Sequence, residues 1–209
     1  MKGDETTMNT CRLIMLFMVL SIFLIGCNGK EKEPELHQTM ENSVEEVTEV
    51  TKDTDEEQVL EIEMIDTAGV DVGIATITEK SDGVHITVVA HHLQPGLHGF
   101  HIHEKGACET PDFTSAGGHF NPFHKKHGFD HPNGPHAGDL QNIRVNDDGT
   151  IETTVVNHLV TLKKGEKNSL FSDEGTTLII HERADDYVSQ PAGDAGDRIV
   201  CGVIYSGEN

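Results

Sequence analysis

The chain has 209 residues and a formal net charge of −21. That length holds one domain of ordinary size, alone or with appendages. So strong an acidic balance excludes a nucleic-acid partner, whose phosphates would be repelled.

Residues 13–26 (LIMLFMVLSIFLIG) form an apolar run behind Arg12 and end at Cys27. The run is short for a membrane span and has the length of a signal-peptide core. An uncleaved anchor or a plain secretory signal stays open beside it. Asp4 and Glu5 fit the head of a signal poorly, so Met8 is an alternative start to Met1. Residues 28–57 follow with eleven Asp/Glu against three Lys, one Pro and no aromatic residue. Such a composition buries too little surface to fold alone and reads as a disordered, self-repelling linker.

From residue 58 the pattern changes, and a domain over 58–209 is expected. Val59–Asp66, Val70–Thr78, Gly83–His91 and Leu97–Glu104 alternate or carry β-branched residues, with Gly- and Pro-containing turns between them. Strand-like segments resume at Asn142–Val145, Thr150–Val156, Thr176–Glu182 and Arg198–Tyr205. Eight short strands without helical periods indicate an all-β antiparallel sandwich or barrel. Two irregular stretches interrupt the strands, Gly106–Asp139 and Ala184–Asp197. A loop as long as the first argues against the assignment unless it is functional. Here it carries histidines.

Within Leu97–Glu104, side chains two apart share a face, so His101 and His103 point one way and Phe100 and Ile102 the other. Two imidazoles so placed are either half of a metal site or two solvated residues on an outer face. Further donors follow at His119, His127, His136, Asp139 and His181. The cysteines sort by position. Cys11 and Cys27 belong to the N-terminal segment, and Cys108 and Cys201 are left in the domain. That pair is read as one disulfide of an oxidising compartment, with two reduced thiols as the alternative.

The motifs GFHIHEKGAC, SAGGHFNP, HAGDL, IIHERADD and GDAGDRIVCGVI, in this order, resemble the copper–zinc superoxide dismutase family, in a bacterial, lipoprotein-type member. The resemblance runs from about Val59 to Ser206 and implies a Greek-key barrel of eight antiparallel strands with two long functional loops. It implies copper on His101, His103, His119 and His181, and zinc on His119, His127, His136 and Asp139, with His119 shared. It further implies that Asp185 links a ligand of each metal, that Cys108 and Cys201 are bonded, and that Arg198 orients the substrate beside the copper. The activity implied is that of an oxidoreductase: dismutation of superoxide to dioxygen and hydrogen peroxide, with His119 and Arg198 as catalytic residues. Leu24-Ile25-Gly26-Cys27 resembles a bacterial lipobox, which implies a lipid on Cys27 and an extracytoplasmic protein anchored to the cell membrane.

The donor types agree with that split. Three His and one Asp make a closed tetrahedral zinc set, and four imidazoles suit copper. Eight further histidines, His37, His85, His91, His92, His98, His124, His131 and His158, match no ligand position and are expected at the surface or in ordinary hydrogen bonds. Against the family pattern, Pro191 and Ala192 stand where familiar members carry a lysine and a threonine. No apolar stripe selects between monomer and homodimer.

Overall fold

The computed structural model describes residues 58–204. The signal segment with Cys27 and the whole acidic linker lie outside the described residues. Among the described residues there are nine strands: β1 (Val59–Asp66), β2 (Asp71–Lys80), β3 (Gly83–Ala90), β4 (Gly96–His98), β5 (Phe100–His103), β6 (Ile143–Val145), β7 (Ile151–Asn157), β8 (Thr176–His181) and β9 (Arg198–Ile204). Among the described residues the helical content is one 3-10 turn at Thr114–Ala116, and no helix is long and apolar enough to cross a membrane.

Seven strands form a curled antiparallel sheet in the order β5-β8-β9-β1-β2-β3-β7, and β4 pairs with β6 in a separate ribbon. The first three strands form a meander, while β7 returns across four intervening elements to lie beside β3, a Greek-key connection. The curled all-β architecture agrees with the expectation from the sequence. The expected strand Leu97–Glu104 is split, which raises the strand count by one. The break falls at Gly99, whose N–H donates to the Arg183 carbonyl at 2.7 Å and whose carbonyl accepts from the His181 N–H at 2.8 Å. A Cβ on Gly99 would stand 2.9 Å from the Ala195 Cβ. The chain thus leaves its pairing with β6 and enters pairing with β8 at a position that leaves no room for a side chain.

Burial follows the strand period. On β3, Val84, Ile86, Val88 and Ala90 face the core, and His85, Thr87 and Val89 do not. Met64, Ile77, Phe100, Ile102, Leu178 and Ile204 complete the centre of that core. Each such side chain contributes roughly 1.5–3 kcal/mol by leaving water. Strand β8 is buried at all six positions because both its faces are covered. Leu178 and Ile180 enter the main core, and Ile179 packs with Phe113, Ala116 and Cys201 in a second cluster under the long loop. A disulfide joins Cys108 to Cys201 across 93 positions and ties that loop to β9.

Candidate metal centre

Strand β5 carries His101 and His103 on the face away from the core residues Phe100 and Ile102. The long loop runs back beside β5. His103 bridges to His119 and His101 to Asp139 in the antiparallel sense. The Ile102 N–H donates to the Gly138 carbonyl and the Phe120 N–H to the Ile102 carbonyl, each at 2.8 Å. Gly138 must be glycine here, because a Cβ would stand 2.2 Å from the Ile102 carbonyl oxygen. His181 ends β8, displaced by a register shift after Ile180.

The result is two clusters with one shared member. Donor atoms of His101, His103, His119 and His181 lie within 4.8 Å of one another, as do those of His119, His127, His136 and Asp139. All seven residues are buried. The His119 ring lies 4.0 Å from that of His101 and 5.1 Å from that of His127, centroid to centroid. All seven ligand positions expected from the sequence therefore converge.

Hydrogen bonds decide which nitrogen of each ring is free. His101 Nε2 donates to Asp185 Oδ2 at 2.7 Å, and His127 Nε2 to Asp185 Oδ1 at 3.0 Å. His103 Nδ1 donates to the Gly117 carbonyl at 3.0 Å and His181 Nδ1 to the Gly196 carbonyl at 3.1 Å. An imidazole that donates from one nitrogen and stays neutral presents a lone pair on the other. Those other nitrogens are His101 Nδ1, His103 Nε2 and His181 Nε2, and with His119 Nε2 they are buried without a hydrogen-bond partner. Buried polar atoms are rarely left so. Four lone pairs turned to one point are what a copper ion requires of a protein.

The second cluster is built around one oxygen. Asp139 Oδ1 stands 2.8 Å from His119 Nδ1, 3.1 Å from His127 Nδ1 and 3.2 Å from His136 Nδ1. His136 Nδ1 is near that oxygen but not aimed at it as a hydrogen bond. Three ring nitrogens crowded on one carboxylate oxygen fit a tetrahedral zinc set. Asp139 Oδ2 is held by the N–H groups of Gly128 at 2.8 Å and His136 at 2.9 Å.

The electrostatics follow from burial and contact. Burial, then the neighbouring His101 ring, push the pKa of His119 down to about 3. Burial does the same to His181, to about 3, and holds His103 well below its ordinary value. For His127 burial acts downward, but hydrogen bonds to Asp139 and Asp185 outweigh it and raise the pKa to about 9. Burial would raise the pKa values of Asp139 and Asp185, yet their histidine partners hold both far below the usual carboxylate range.

A family model for copper/zinc superoxide dismutase (SODC) matches residues 72–204. The chain belongs to the copper/zinc superoxide dismutase family. It is 54% identical to "Superoxide dismutase [Cu-Zn] 2" of Aquifex aeolicus over 143 residues, 68% of this chain and 84% of that one. It is 40% identical to "Superoxide dismutase-like protein YojM" of Bacillus subtilis over 195 residues, 92% of this chain and 95% of that one. A crystal structure of a SOD-like protein from Bacillus subtilis superposes with a TM-score of 0.67 at 46% identity, covering 69% of this chain and 97% of that one. Copper and zinc are the cofactors of this family, and the two clusters fit them.

Other expected residues also find places. Arg198 is half-buried and donates from Nη1 to the Phe113 carbonyl and from Nη2 to the Gly117 carbonyl, both at 2.6 Å. Its neighbours Asp194 and Asp197 do not hold it as an ion pair; Asp194 lies instead 3.5 Å from Arg183. Burial pushes the Arg198 pKa down, and the nearby Asp112 carboxylate acts against that. Of the histidines left unassigned, His98 is buried, bound through Nδ1 to the His181 carbonyl at 2.7 Å and through Nε2 to the Gln94 carbonyl at 2.8 Å. His85, His91, His92, His124, His131 and His158 join neither cluster, and His37 lies outside the described residues.

Sequence reasoning missed Asn142 and Glu104. The Asn142 amide grips the Asp185 backbone, accepting its N–H and donating to its carbonyl, each at 2.8 Å. Glu104 Oε1 accepts the Gly118 N–H at 2.9 Å, just ahead of His119. A polar residue next to the end of a strand is too common a feature to have singled either out.

Proposed function

We propose that this chain dismutates superoxide, with copper on His101, His103, His119 and His181 and zinc on His119, His127, His136 and Asp139. The observation that carries the reading is the set of four buried, unpartnered imidazole nitrogens that face one another. Copper in the first set supplies a centre that accepts and returns one electron, and zinc in the second supplies a fixed charge beside the shared ring. Overall, two superoxide anions and two protons become dioxygen and hydrogen peroxide.

The chain's own part is to bind the anion, hold the rings and carry a proton. Arg198 offers a guanidinium whose position is fixed by two backbone carbonyls, and it orients the superoxide anion. His119 has one ring nitrogen in each cluster, so a proton taken up or given back at Nε2 leaves Nδ1 with Asp139. Asp185 holds His101 and His127 in the tautomers that turn Nδ1 of each toward its cluster. A hydrolytic use of zinc-activated water is unsupported, because all four positions of the second set are protein atoms.

The competing reading is a surface copper- and zinc-binding protein of the same fold with little activity. Its support is the "superoxide dismutase-like" name of a relative that matches most of the chain. The complete donor set here favours the enzyme. Metal analysis of the purified full chain and a superoxide-disappearance assay on the loaded protein separate the two. A copper and a zinc per chain with rapid dismutation is the expected result; both metals bound with no dismutation leaves the binding reading.

The apolar run 13–26 before Cys27 supports a lipid on that cysteine and a place outside the cytoplasm at the bacterial cell membrane. The Cys108–Cys201 disulfide supports an oxidising compartment. Mass analysis of the mature N-terminus tests it: an unmodified or retained Cys27 segment would remove the anchor.

A further inference from the structure

The link between His127 and Asp185 joins the two long loops, and each partner's backbone is gripped by a side-chain amide. Asn142, which follows the first loop, grips Asp185 in the second. Gln190, in the second loop, grips His127 in the first. Its Oε1 accepts the His127 N–H at 3.1 Å, and its Nε2 donates to the His127 carbonyl at 3.0 Å and to the Val188 carbonyl at 2.9 Å. Two carbonyls face the same amide atom, so that atom is the nitrogen. With its side chain bound to Asp139 and Asp185, all four polar atoms of His127 are engaged.

We propose that Gln190 is a positioning residue for the zinc cluster: it fixes the His127 backbone so that the imidazole stands ready before a metal arrives. This rests on the reading of His119, His127, His136 and Asp139 as the zinc set. Gln190 reaches the His127 backbone and none of the clustered donor atoms, so its effect passes through His127. A nitrogen donor held in place loses less freedom on binding, and outer partners of this kind typically govern metal affinity by about tenfold to a hundredfold. Two further contacts hold the same region: the Asp130 N–H donates to the Tyr187 carbonyl at 3.1 Å, and Gly128 packs directly on that carbonyl. They keep the loops together when Gln190 is changed, so a variant reports on the clasp alone.

The test compares the full chain with Gln190→Ala and Gln190→Glu. Glu is the same size but sets an acceptor against the two carbonyls. Zinc affinity is read by chelator competition. Amide exchange at His127 and Gly128 is read in the metal-free protein. Both variants are expected to bind zinc about tenfold more weakly and to exchange the His127 amide about tenfold faster without metal. Glu is not expected to rescue. Unchanged affinity and exchange in both variants would overturn the inference, as would a lowered melting temperature with unchanged affinity. Failure of the parent chain itself to bind zinc would instead sink the reading of the cluster.

Discussion

Arg198 and His103 share one acceptor. The Gly117 carbonyl oxygen takes the Arg198 Nη2–H at 2.6 Å and the His103 Nδ1–H at 3.0 Å. The cation proposed to orient superoxide and a ring of the first cluster are therefore positioned by the same backbone atom, two residues before His119.

The shared acceptor makes Arg198 hard to replace. Arg198→Ala is expected to lower the dismutation rate tenfold or more, by roughly the scale on which local charge accelerates encounter with an anion. Arg198→Lys is expected to restore little, because a single ammonium cannot span the Phe113 and Gly117 carbonyls as the planar fork does. Rates compared at equal copper content check this. An Ala variant as fast as the parent would take Arg198 out of the mechanism.

Asp185 receives a ring N–H on each oxygen, and an amide cannot do the same. Asp185→Asn would set an NH2 against one of two imidazole N–H groups. Zinc affinity is expected to fall about tenfold to a hundredfold. Competition with a chelator measures it, and an affinity equal to that of the parent would mean that the link between the loops is dispensable.

Acid and base destabilise the metal-free protein for different reasons. His119 and His181 are pushed to about 3, below the ordinary histidine value of about 6.5, so the unfolded chain takes up protons first as pH falls. Their contribution is present above about pH 6.5 and is lost toward about pH 3. His127 runs the other way. Its pKa is raised to about 9, so its contribution is full below about pH 6.5 and is lost as pH rises through about 9. Melting temperatures of chelator-treated protein are expected to peak near neutrality. A steady climb from acid to strongly alkaline pH would contradict this account.

Much of the site was legible because strands alternate. The period of two put His101 and His103 on one face before any fold was known, and the order of the motifs supplied the other five ligands. The grip of Gln190 on His127 and of Asn142 on Asp185 left no such trace. Each joins residues more than forty positions apart, through backbone atoms that every residue possesses. The split of the strand at Gly99 was hidden for a related reason. A change of pairing partner depends on where β6 and β8 arrive, which local pattern does not record.

The disulfide holds more than β9. Cys201 packs with Phe113 and Ala116, and Phe113 supplies a carbonyl to Arg198. Replacing Cys108 and Cys201 together by Ser is expected to cost about 2–5 kcal/mol of stability and to lower activity by loosening Arg198. Urea midpoints and rates at equal copper content check both. Stability lost with activity intact would separate the bridge from the site.

Strand β5 ends the seven-stranded sheet, and its outer side is closed by the loop bridges at His101 and His103. An uncovered margin of a sheet is a template for another chain. The ion-binding loop is thus also a guard against aggregation. Chelation that frees the loop would leave a sticky β-strand bare, and self-association would be the price of losing the ions.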